Sequence, residues 1–67
     1  MMTLSEHIKQ KRKENGLSQV ELAERAGVGL RFVRDLEQGK QTLRMDKVND
    51  VLLLFGECLG PVKIDML

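Results

Sequence analysis

Three residues, Ala26-Gly27-Val28, separate two stretches whose apolar residues fall at helical spacing, and so short a join constrains the chain more than any other feature. Upstream, Ser18-Gln19-Val20-Glu21 has the spacing of a capping box. Val20, Leu22, Ala23 and Ala26 then give an apolar face, which predicts a helix from Gln19 to Arg25. Downstream, a helix is predicted from Gly29 to Gln38, with Gly39 stopping it. Helices joined this briefly cannot lie antiparallel; they cross steeply, with a small residue at the corner. Ala23 lets the second helix approach, and Gly27 takes a positive φ that most residues resist. Val28, Val33 and Leu36 plug the angle between the two.

The flanks read as helices too. Thr3-Leu4-Ser5-Glu6 repeats the capping-box spacing, and Leu4, Ile8 and Lys11-Arg12 carry the pattern to Asn15, with Gly16 as the left-handed residue beyond. Later, Asp46 stands in a first turn. Val48, Val51, Leu52 and Phe55 form a stripe, Leu53 and Leu54 widen it, and Gly56 closes it. That arc is wider than one small core needs, so a dimer surface is expected beside the core. The expected architecture is all-α, a bundle of four to five short helices in one domain spanning 1–67.

Length and composition remove most other classes. At 67 residues the chain has no room for a Rossmann unit with a substrate domain. It is 42% hydrophobic and 31% charged, as a folded domain is. No apolar run approaches the roughly 20 residues that span a bilayer, and the first dozen residues lack a signal peptide's apolar core. Cys58 stands alone, which excludes an internal disulfide and a structural zinc site; it reads as a small buried or half-buried hydrophobe in a reducing, cytoplasmic compartment. His7 is the only histidine and reads as a surface residue. With no H-E-x-x-H, CxxC, phosphate-cradling loop or nucleophile–histidine set, no catalysis, metal or cofactor is expected.

Charge is more informative in its distribution than in its sum. The net charge is +1, but Met1–Arg44 carries nine Lys or Arg against six Asp or Glu, and Met45–Leu67 two against four. With about 100° per residue and Val33 at the centre of the buried side, Phe32, Leu36 and Gly29 fall inward and Leu30 near the boundary. Arg31, Arg34, Asp35 and Gln38 fall outward. Arginine suits bidentate recognition of guanine, and glutamine suits adenine. Taken alone, such a stripe is better explained by solvation, since charged helix faces are common. On the Ala23-Gly27-Val33-Leu36 framework, which has helix-turn-helix spacing, the nucleic-acid reading prevails.

Gln19-Val20-Glu21-Leu22-Ala23-Glu24-Arg25-Ala26-Gly27-Val28, with Val33-Arg34-Asp35-Leu36-Glu37-Gln38-Gly39 after it, resembles the Cro and phage-repressor helix-turn-helix family over roughly Ile8 to Phe55. The stretch Leu30 to Lys40, with Phe55-Gly56, is similar more narrowly to HipB-like antitoxins and autorepressors. The resemblance implies a lambda-repressor-like fold. It implies base contacts from Gly29, Leu30, Arg31, Arg34 and Asp35, and phosphate contacts from Ser18, Gln19, Gln38, Lys40, Thr42 and Arg44. It implies a structural ion pair between Arg12 and Glu37. Gly29 departs from the polar cap that many relatives carry; it lets the backbone come close to DNA but reads no base with a side chain. Readout then leans on Arg31 and Arg34, with Asp35 expected to orient one of them and Phe32 to pack.

Pro61-Val62-Lys63-Ile64-Asp65-Met66 alternates at strand period, alone in the chain. A lone strand leaves its backbone groups unpaired, so pairing with the same strand of a second subunit is expected, with 57–67 as the dimerisation segment. A frayed terminus is the alternative. The expected dimer residues are Leu52, Phe55, Val62, Ile64 and Met66.

The function expected is a sequence-specific, DNA-binding transcriptional repressor. It acts as a homodimer on an inverted-repeat operator of double-stranded DNA, at the nucleoid and with no membrane. The HipB-like resemblance adds an antitoxin role in a toxin-antitoxin pair with a HipA-like kinase. A free-standing phage or plasmid repressor, and an interaction module that no longer binds DNA, are the alternatives.

Overall fold

In a computed structural model of the chain, residues 2–65 are described. Four helices follow one another: α1 (Leu4–Glu14), α2 (Gln19–Ala26), α3 (Leu30–Glu37) and α4 (Met45–Leu53). The fold is all-α. One core serves all four helices: Ile8 of α1, Leu22 and Ala23 of α2, Val33 and Leu36 of α3, and Val48, Val51 and Leu52 of α4 are buried, with Leu17 from the α1–α2 link.

Each helix is bounded by local chemistry. Both capping boxes form: the Thr3 hydroxyl accepts from the Glu6 N–H at 3.2 Å, and the Ser18 hydroxyl from the Glu21 N–H at 3.1 Å. All four helices end alike. Beyond α2, Val28 N–H reaches the Ala23 carbonyl at 3.0 Å and Gly27 N–H the Glu24 carbonyl at 3.3 Å, a Schellman motif. Gly16, Gly39 and Gly56 close the other three in the same way. At Gly27, φ is +73°, and this left-handed turn lets α3 begin with only three residues between it and α2.

The apolar patterning was read too generously in places. Val20 is 47% exposed and Leu53 71% exposed, so neither belongs to the core. Leu52, expected at a dimer surface, lies in the core at 3% exposure; the outward positions are Leu53 and Leu54, one and two residues on. Phe55 is half-buried against the core. Cys58, expected buried or half-buried, is exposed, because the chain has already turned away from α4. Gly29, expected to face inward, is the exposed N-cap of α3.

A charged group holds the helices in register. The Glu37 side chain, 1% exposed, accepts from Arg12 Nε at 2.7 Å, Arg12 Nη2 at 3.0 Å and Gln19 Nε2 at 3.2 Å. Arg12 Nη1 donates to the Leu17 carbonyl at 2.9 Å. Both Glu37 oxygens and all three Arg12 guanidinium nitrogens are bonded to protein, and among the described residues no buried side-chain polar atom lacks a partner.

After α4 the chain is fastened twice. Glu57 meets His7 Nε2 at 2.7 Å, and the Asn49 side chain accepts from the Leu59 N–H at 2.7 Å. His7 is therefore a half-buried link between α1 and this segment rather than a plain surface residue. From Gly60 to Asp65 every residue is exposed and none is in a strand within the single chain. Met66 lies outside the described residues. Among the described residues, no helix is long and apolar enough to cross a membrane.

Two outcomes follow for stability. Arg12→Ala leaves the buried Glu37 carboxylate short of its main partner and is expected to cost about 3–5 kcal/mol in urea unfolding. The second concerns pH. The Ser18 backbone N–H, and after it the Ser18 hydroxyl, hold the Glu21 carboxyl below its ordinary 4.5. A lowered carboxyl pKa adds stability above the unfolded value, and this is lost as pH falls through the folded one. The thermal midpoint is thus expected to fall as pH drops below about 4.5, and to fall less in Glu21→Gln.

Candidate nucleic-acid interface

The orientation of α3 is fixed from its buried side. Val33 is fully buried and Leu36 nearly so, while Leu30 and Phe32 pack half-buried against the core. At 100° per residue, the opposite side of an eight-residue helix must look outward. Arg31, Arg34 and Gln38 are exposed there, Asp35 is half-buried, and these four line one shallow surface depression.

The two arginines differ from most of the positive side chains near them. Lys40 lies 3.6 Å from Asp35, and Arg44 makes two hydrogen bonds to Asp46, at 2.7 and 3.1 Å. These bonds hold the Asp46 carboxyl below its ordinary value. Among the described residues, no ion pair or side-chain hydrogen bond engages Arg31 or Arg34. Asp35 was expected to orient one of them; it faces Lys40 instead, because the turn at Gly39 brings Lys40 back over the end of α3.

The start of α2 lies beside the end of α3 through Gln19 and Glu37. Ser18 is exposed, with its hydroxyl engaged in the capping box. The Gln19 side chain, expected to reach outward to a phosphate, turns in to Glu37; no spacing rule signals this, because its partner is 18 residues away. What α2 offers outward is backbone: among the described residues nothing accepts from the Gln19 and Val20 N–H groups, and a helix start carries partial positive charge. Thr42 is exposed, as are Gln38, Lys40 and Arg44, so the loop after α3 presents polar groups beside the arginine face. The Lys47 ammonium stands 6.0 Å from the Phe32 ring, an α3–α4 contact that sequence reading did not find.

Gly29 needs no glycine for internal reasons. Its φ of −73° is open to any residue, and a Cβ placed there meets nothing within 4 Å. The cap position makes no side-chain hydrogen bond. The start of α3 is bare backbone next to two unengaged arginines.

A profile of the helix-turn-helix family matches residues 8–58, from the first buried isoleucine to just beyond the turn that closes α4. The chain belongs to the helix-turn-helix family. A relative from Sinorhizobium fredii, named an HTH-type transcriptional regulator, y4mF, is 58% identical over 45 residues, which is 67% of this chain. The match spans 59% of that relative's length. Within the family, α2 and α3 are the two helices of the motif, and Gly27 is at its corner. The tail from Leu59 on lies outside the family match.

The bare cap yields a stability outcome. Gly29→Ser supplies a missing capping oxygen without a clash, so it is expected to raise unfolding free energy by a few tenths of a kcal/mol, about 0.3, in urea titration.

Proposed function

We propose that the chain binds double-stranded DNA as a sequence-specific transcriptional repressor, with α3 in the major groove. The observation that carries this reading is the pair Arg31 and Arg34, exposed side by side on α3 without a partner among the described residues. An arginine left without an internal carboxylate retains its planar donor fork for guanine O6 and N7. Helix-turn-helix family membership and the relative's name agree with it.

In this reading Arg31 and Arg34 read bases, and Gly29, Leu30 and Asp35 line the contact. Ser18, the Gln19 backbone N–H, Gln38, Lys40, Thr42 and Arg44 meet phosphates. Lys40 and Arg44 exchange an exposed carboxylate for a phosphate, a change that costs little because exposed ion pairs are weak. Residues 1–67 act as one DNA-binding unit at the nucleoid. It works as a homodimer whose recognition helices enter grooves about 34 Å apart, on an inverted repeat. The dimer surface takes Leu53 and Leu54, which are exposed on α4, with Phe55, Val62 and Ile64. The finer reading, an antitoxin paired with a HipA-like kinase, rests on the resemblance of Leu30–Lys40 to HipB-like proteins. A HipA-like reading frame beside the gene supports it, and its absence leaves a free-standing repressor.

Binding to the chain's own upstream region tests the proposal. Arg31→Ala and Arg34→Ala are each expected to lose about 1–3 kcal/mol, most strongly on the cognate sequence. Lys40→Ala is expected to weaken all sequences alike and to lower the salt slope by about 1. If both arginine variants bind as the parent does, the readout assignment fails; if the parent itself does not bind DNA, the interaction-module reading takes its place.

A further inference from the structure

The tail is a tethered but uncovered segment. It is fastened as far as Leu59 by His7–Glu57 and Asn49–Leu59, and from Gly60 it leaves the core. Val62 and Ile64 are then 78% and 67% exposed, two large apolar side chains on alternate positions of the segment. Lys63 and Asp65 occupy the positions between and beyond them, with opposite charges.

We propose that this segment pairs antiparallel with the same segment of a second copy of the chain, in a single register centred on Ile64. The proposal rests on the homodimer reading above and adds its geometry. Side chains opposite each other in an antiparallel pair share a face. A register that sets Lys63 against Ile64 therefore mixes charge with the apolar face and is excluded. A symmetric register that keeps the faces matched is centred on one residue, and centring on Val62 sets Lys63 against Pro61 and Asp65 against Leu59, with no opposite charge for either. Centring on Lys63 sets lysine against lysine, and centring on Asp65 sets aspartate against aspartate. Centring on Ile64 sets Ile64 against itself and places Lys63 opposite the partner's Asp65, once on each side of the two-fold axis. Opposite charges across a pair of strands stabilise and like charges destabilise, so the register centred on Ile64, which alone pairs lysine with aspartate, is selected.

Single cysteines read this register directly, because only a self-opposed position brings two Cα atoms within the roughly 4.4–6.8 Å that a disulfide spans. In the full chain with Cys58→Ser, Ile64→Cys is expected to form a covalent dimer on mild oxidation, well ahead of Lys63→Cys and Asp65→Cys. Sedimentation equilibrium supplies the second reading. Lys63→Asp alone, or Asp65→Lys alone, is expected to weaken dimerisation about tenfold, and the two together to restore it to within about twofold. Strongest crosslinking at position 63 or 65, or no rescue by the double reversal, overturns the register. A parent chain that stays monomeric overturns the paired strand itself. DNA binding by the same preparations is measured separately, so loss of the register and loss of the DNA reading give different results.

Discussion

The Glu37 carboxylate ties the molecule together. It stands at the end of α3, takes two hydrogen bonds from Arg12 on α1 and one from Gln19 at the start of α2, and is almost wholly buried. A charge taken so far from water is tolerated only with its partners in place, so the three helices are set relative to one another by one ion. A purely apolar core of nine small and medium side chains leaves helices some freedom to slide; a two-pronged guanidinium contact does not. The start of α2 and the end of α3 are held side by side by this contact.

Much of this was legible along the sequence, wherever the cause is local. Helix ends follow from residues three to six apart: Thr3 with Glu6, Ser18 with Glu21, and the glycines at 16, 27, 39 and 56. The inward and outward sides of α3 follow from its period, with Val33 and Leu36 on one side and Arg31 and Arg34 on the other. What was not legible depends on distant partners. Gln19 turns to a residue 18 positions on, and His7 meets one 50 positions on, and neither pairing leaves a trace in periodicity. Leu52 and Leu53 are identical letters side by side, and only the packing of α4 on α2 decides which is core. Asp35 had three cations within reach of a short helix, and the turn after α3 settled the choice on Lys40.

The charged surface divides into two kinds of cation. Arg12, Lys40 and Arg44 have carboxylates of their own. Arg31 and Arg34 have none among the described residues, and Arg31 stands in the first turn of α3, where the leading N–H groups are unpaired. A net charge of +1 conceals this arrangement, since the acidic residues of the second half offset the total without approaching the arginines. The local field, not the overall one, is what an incoming polyanion meets.

Helix α3, the proposed reader, spans eight residues. At 1.5 Å per residue it is about 12 Å long, and the tight stops at both ends allow it no extension. Against base pairs stacked about 3.4 Å apart, that is room to inspect roughly four of them. Four letters recur every few hundred positions in random sequence, whereas a genome offers on the order of a million competing positions or more. Under the proposed reading, so brief an element is too little to address one locus alone, and a twin on an inverted repeat would supply the missing information.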